Sequence, residues 1–131
     1  MVMSQPSATP EVVVQRQLDA YNARNLEALL AIYADDAQMF EHPSRLLASG
    51  TAGLRERFAA RFKEPNLQAA LERRIVCGTF VIDHERITRT FPGEGPGEVQ
   101  AVMIYEVAGD RIVRAWMIPG PRQLHAATAQ A

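Results

Sequence analysis

Asp83, His84 and Glu85 stand in consecutive positions, and any one of them can move a proton. If this stretch is a strand, Asp83 and Glu85 share one face and His84 points to the other. Two carboxylates on a cavity wall repel one another, raise a pKa and supply an acid/base group. A register slip of one residue reverses the arrangement and turns His84 inward. The plainer reading is a solvated edge on which Asp83, Glu85 and Arg86 pair across strands. His42, next to Pro43, is a second candidate because histidine titrates near neutral pH. Its plainer role is a hydrogen bond that closes a strand end.

Aromatic and methionine residues supply candidate walls: Tyr21, Tyr33, Phe58, Met103, Tyr105 and Met117. Phe58 reads as core packing. The three tyrosines carry hydroxyls that need a partner when buried, which suits the rim of a pocket. Other chemistries lack support. His42, His84 and His125 are too scattered for a metal site, and Asp35-Asp36 reads as a helix stop. No glycine-rich phosphate loop follows a strand, and no Ser/His/Asp arrangement stands out. No metal or cofactor is expected.

The elements that must carry these residues follow from periodicity. Thr9-Pro10-Glu11 has the chemistry of a helix start. Val14, Leu18 and Tyr21 then mark one stripe of an amphipathic helix. Asn25 caps a second helix with Leu26, Leu29, Leu30 and Tyr33 on one side, ended by Asp35-Asp36. Gln38 to Pro43 reads as a short strand with Met39 and Glu41 on one face and Phe40 and His42 on the other. After Ser49-Gly50, Thr51 is placed to cap a third helix bearing Leu54, Phe58 and Phe62. From Leu67 the period shortens, and extended stretches cover 67–76, 80–90, 98–107 and 111–118. Hairpin-grade breaks separate them at Cys77-Gly78-Thr79, 91–97 and Ala108-Gly109-Asp110. Alternation places Trp116 outward with Arg114 and Ile112, opposite Ala115 and Met117. Helices followed by a meander predict a segregated α+β fold: three helices on a strongly curved, mainly antiparallel sheet with one end open as a pocket. The domain is expected over 9–119, between a flexible terminus at 1–8 and a flexible tail at 120–131.

Composition bounds the remaining possibilities. The 131 residues suit one domain with a real core, and 47% hydrophobic against 22% charged is ordinary for a globular chain. Fourteen basic residues balance fifteen acidic ones, without the basic stripe that nucleic acid requires. Arg55, Arg57, Arg61 and Lys63, interleaved with Glu56 and Glu64, read as the solvated side of a helix. The single Cys77 excludes an internal disulfide and reads as a packed thiol. No stretch is apolar enough to span a bilayer and no leader is evident, so a cytoplasmic location is expected.

Four segments carry a family resemblance: QRQLDAYNARN (15–25), LEALLAIYADDA (26–37), SGTAGLRERF (49–58) and YEVAGDRIVRAW (105–116). With these the chain resembles the SnoaL-like and ketosteroid-isomerase-like families of the nuclear-transport-factor-2-like superfamily. The resemblance implies a cone around one small-molecule cavity, dimerisation through the outer face of the sheet, and Val81, Asp83, Glu85 and Ile87 turned inward. It aligns His42 with the proton-moving aspartate of the steroid isomerases. The oxyanion-binding positions become Gln17 and Met103, so two of the three groups of that site differ, which argues against a steroid isomerase of that mechanism. Tyr21, one turn beyond Gln17, is a substitute hydrogen-bond donor. The implied function is cofactor-free acid/base catalysis (isomerase, cyclase or hydratase) on a small apolar carbonyl compound of polyketide or steroid type. Its catalytic set would be His42, Tyr21, Asp83 and Glu85, with Gln17, Tyr33, Phe58, Met103, Tyr105 and Met117 contacting ligand. The alternative is a non-catalytic ligand-binding or dimeric interaction domain, because one fold hosts many activities.

Overall fold

The computed structural model describes residues 8–125. Of the flexible ends expected at 1–8 and 120–131, residues 1–7 and 126–131 lie outside the described residues. Helix α1 (Pro10–Asn22) begins where Thr9 Oγ1 accepts from the Val12 amide, and α2 (Leu26–Ile32) where Asn25 Oδ1 accepts from Ala28. Strands β1 (Tyr33–Glu41) and β2 (Arg45–Ser49) precede α3 (Gly50–Arg61). Strands β3 (Gln68–Cys77), β4 (Phe80–Phe91), β5 (Gly95–Ala108) and β6 (Arg111–Leu124) complete a curved, unclosed sheet in the order β2-β1-β6-β5-β4-β3. Every neighbouring pair is antiparallel except β1 with β6, which run parallel. None of the described helices is long and apolar enough to cross a membrane.

The inner face of the sheet and the helices enclose two apolar clusters. The larger gathers Val13, Val14, Leu29, Tyr33, Leu54, Phe58, Met103 and Tyr105 among others; the smaller holds Leu18, Leu67, Ala69, Ile87 and Ala101. Tyr21, Phe62 and Met117 pack against both, so the seam between the clusters is where the interior opens. Asn22 fastens α1 to the edge strand: its Nδ2 donates to Ala69 O (2.9 Å) and its Oδ1 accepts from the Ala69 amide (2.8 Å). That reciprocal pair satisfies backbone groups of β3 that lack a further strand and holds the rim of the cone in place.

Several local expectations are corrected. Asp35 and Asp36 do not stop a helix; they lie inside β1, because Tyr33, Ala37 and Met39 gain burial by joining the sheet alongside β6. Strand β2 was not visible in the pattern, since only Ala48 of its five residues is fully buried. Ser49, not Thr51, occupies the cap position of α3, without a side-chain cap bond. Ile112 faces inward, fully buried, because β6 carries an extra residue between the pairs Glu106–Arg114 and Val107–Ile112. Beyond Pro119 the chain is not a tail up to Leu124: it stays in β6, paired with Gly97–Val99 of β5. Cys77 is exposed rather than packed, at the end of the edge strand β3.

Candidate active site

The seam opens into a cavity with a free volume of about 550 Å³ including its mouth. Its wall combines Gln17, Leu18 and Tyr21 from α1 with Arg57, Phe58 and Arg61 from α3. Tyr33 and Met39 of β1, Glu85 and Ile87 of β4, Met103 and Tyr105 of β5, and Met117 of β6 complete it. The aromatic groups brace one another: Tyr21 meets Phe58 and Phe62 edge-on, and Tyr33 lies 5.8 Å from Phe58 between ring centroids. The space is therefore held open by packed rings.

Strand register decides the carboxylates. Val81, Asp83, Glu85 and Ile87 are all buried on the inner face, whereas His84 points outward and meets Gln100 at 2.8 Å. Asp83 and Glu85 then part company. Asp83, fully buried, is gripped by Arg74 through two bonds of 2.6 and 2.8 Å, and Arg74 also donates to Gln15 (2.9 Å). That bidentate pair uses up the Asp83 carboxylate. Glu85, 4% exposed, has no hydrogen-bond or ion-pair partner among the described residues, and it lines the cavity. Burial, reinforced by the neighbouring Asp83 charge and opposed by Arg74, pushes its pKa up to about 8. A carboxyl poised there can give or take a proton near physiological pH.

Above it runs a relay of neutral donors. Tyr105 OH donates to Gln17 Oε1 at 3.3 Å, and Gln17 Nε2 donates to Tyr33 OH at 3.3 Å. The relay uses the Tyr33 oxygen as acceptor and leaves its hydroxyl proton without an acceptor among the described residues. Tyr21 also lines the cavity with its hydroxyl unpaired among those residues. Burial raises the pKa of all three phenols, so each remains a proton-bearing donor at neutral pH.

His42 is not part of this arrangement. It is exposed, lies outside the cavity wall, and engages the sheet only through its amide, which donates to Met117 O at 2.8 Å. The cause is parity: Met39 faces inward, so Phe40 and His42 take the other side, and Phe40 stacks on Trp116 there. The His42–Pro43 bond is cis, at the turn into β2. Of the proposed catalytic set, Tyr21 and Glu85 meet at the cavity, Asp83 stands behind Glu85, and His42 is elsewhere. Gln17, Tyr33, Phe58, Met103, Tyr105 and Met117 all line the space.

Arg57 and Arg61, expected on the solvated side of a helix, both lie on the wall. The signal was present: from the core residue Leu54 they fall at i+3 and i+7, interleaved with Phe58 and Phe62. Charge masked their position. Among the described residues no cluster of His, Cys, Asp or Glu side chains suits a metal ion.

Comparison with known proteins agrees with this architecture. The SnoaL-like domain model matches residues 14–115. An uncharacterized cystatin-fold protein from Novosphingobium aromaticivorans superposes with a TM-score of 0.78 at 23% identity, covering 85% of this chain and 98% of that one. A hypothetical protein of ketosteroid-isomerase-like fold from Catenulispora acidiphila, solved with trimethylamine, gives 0.71 at 18% identity over 84% and 85% of the two chains. A candidate SnoaL-like polyketide cyclase from Jannaschia sp. gives 0.71 at 17% identity over 91% and 90%. At these identities the structural likeness is one of fold.

Proposed function

Because the chain belongs to the SnoaL-like domain family, whose cavity it shapes without filling, we propose that it is a cofactor-independent enzyme that moves a proton on a small, mostly apolar carbonyl compound. Isomerisation or cyclisation is the reaction class. The observation that carries this reading is Glu85: a buried, unpartnered carboxyl on an aromatic-walled cavity. A buried polar group left unsatisfied is costly, and a site of proton transfer is the natural reason to keep one.

In its ionised form Glu85 takes a proton from the carbon next to the substrate carbonyl. The electron pair moves onto the carbonyl oxygen, where the unspent hydroxyl protons of Tyr33 and Tyr21 stabilise the enolate. Where the substrate carries a β,γ-double bond, returning the proton to the γ-carbon of the dienolate completes an isomerisation. In a cyclisation the enolate carbon attacks a second carbonyl of the same molecule, and the alkoxide so formed takes the proton back from Glu85. Arg74 and Asp83 act through Glu85. Burial is the main reason that Glu85 holds its proton; the Asp83 charge adds to it and Arg74 offsets it, so the pair trims the pH at which Glu85 works.

The test is deuterium exchange at the α-carbon of 2-tetralone, an enolisable ketone of suitable girth, followed by proton NMR in heavy water. Exchange catalysed by the wild type is expected to rise with pH through about 8, following ionised Glu85. Glu85→Gln is expected to lower the rate by about 10²- to 10⁴-fold, the usual contribution of a positioned base. A rate that falls through the same pH range assigns Glu85 the acid's part. Exchange indifferent to Glu85→Gln removes it from the chemistry.

A further inference from the structure

Proton transfer at Glu85 leaves the two arginines of the cavity wall unexplained. Arg57 and Arg61 project from consecutive turns of α3 onto the wall. Arg61 leans on Glu64 (3.5 Å), but the same carboxylate is already held by two nitrogens of Arg89 at 3.1 and 2.7 Å. Arg57 is half-buried and has no carboxylate within ion-pair distance among the described residues. The charges that act on it are chiefly cations, Arg61, Arg89 and Arg45. Burial, with Arg61 as the next cause, presses its pKa downward. A guanidinium taken partly out of water into like-charged company is unfavourable until an anion joins it.

Glu85 and the two arginines line one mostly apolar chamber. Tyr21 lies in the field of both Arg61 and Glu85, and Leu18, Phe58, Ile87 and Met117 complete the walls around it. A ligand that fills the chamber thus meets both a proton-transfer group and an uncompensated positive charge. The planar fork of arginine matches a carboxylate in two parallel hydrogen bonds. One unpaired guanidinium balances one negative charge, which favours a monoanion over a phosphate.

We propose that the substrate is an amphipathic carboxylate: an apolar body of one or two rings in the chamber, its carboxylate held by Arg57 with Arg61 as the second donor. The assignment rests on the reading that the cavity takes a small-molecule substrate, but it does not depend on what Glu85 does. Glu85 is mostly protonated at neutral pH and would not repel such an anion.

The test compares 2-naphthylacetate with its uncharged isostere 2-naphthylacetamide, titrated into the full chain at pH 7 and followed by naphthyl fluorescence. The acid is expected to bind at least about tenfold more tightly, the usual scale for hydrogen bonds to a charged group. Arg57→Gln is expected to erase that preference while leaving amide affinity within about twofold, which also shows that the pocket is intact. Arg57→Lys, which keeps the charge, should retain part of it. Equal affinities in the wild type, a preference that survives Arg57→Gln, or binding of neither compound overturns the inference. A wild type that shows the acid preference but exchanges 2-tetralone no faster than Glu85→Gln sinks the catalytic reading alone.

Discussion

Keeping the Glu85 carboxyl out of water has a consequence for stability that changes with pH. Its pKa is about 8 in the folded chain against 4.5 for an ordinary glutamate, so the folded state holds the proton more tightly than the unfolded state. That contribution is fully present below pH 4.5, declines as pH rises, and is lost once pH passes about 8. The accumulated loss is about 5 kcal/mol at pH 9, as an order of magnitude. Glu85→Gln, which cannot ionise, is therefore expected to match the wild type in urea unfolding at pH 4.5 and to exceed it clearly at pH 9. Equal unfolding midpoints at pH 9 would show the carboxyl to be hydrated. At the same scale, His42→Ala should shift stability by less than about 0.5 kcal/mol, as for other exposed positions, and leave 2-tetralone exchange unchanged. The alternation of β4 made Asp83 and Glu85 neighbours on one face before any coordinates. Which of them would be free was not legible, because Asp83 is claimed by Arg74, 9 positions away, and Arg74 is itself held by Gln15, 59 positions from it.

Elements hold these residues through a few close approaches. The Arg74–Asp83 pair links β3 to β4 beneath the cavity, with side chains 9% and 0% exposed. Arg74→Gln strands a buried carboxylate and is expected to cost about 3 kcal/mol in chemical unfolding, the lower end for breaking a buried pair. Converting both partners, Arg74→Met with Asp83→Leu, should recover much of that loss. At the far end of the sheet, β5 and β6 meet backbone to backbone at Gly97, where an added Cβ would lie 2.5 Å from Gln123 O and 3.0 Å from Leu124 Cα. Gly97→Ala must push β6 away and is expected to lower stability by about 1–3 kcal/mol, measured by thermal unfolding. The helices were readable at this scale because caps and apolar stripes are local. Strand β2 and the true length of β6 were not, since their pairing partners lie in β1 and β5 and their own residues scarcely alternate.

Over the whole molecule, one surface asks for a cover. On the outer face of the sheet Phe40 stacks on Trp116 (6.0 Å) and Phe80 leans on the same indole (6.5 Å), while Ile75, paired with the outward Ile82, is exposed on that face. We propose a second copy of the chain as that cover, as the resemblance to the SnoaL-like families implies. Sedimentation velocity is expected to show a dimer that Phe80→Glu converts to monomer, with the pocket's affinity for 2-naphthylacetate preserved. A wild-type monomer at micromolar concentration would leave the face without that role.

The order of residues by itself determines an α+β cone and its family likeness: capping groups, helical stripes and strand alternation act over a few positions, and the chain carries them all. It also places most of the wall, because inward-facing residues recur at regular intervals. Only the tertiary structure decides that Glu85 stands alone while Asp83 is paired, that His42 faces outward, and that Arg57 and Arg61 turn into the cavity. Those outcomes depend on register, on one bulge, and on partners distant in sequence. Burial and charge compensation are properties of what surrounds a group, and no local pattern records its surroundings.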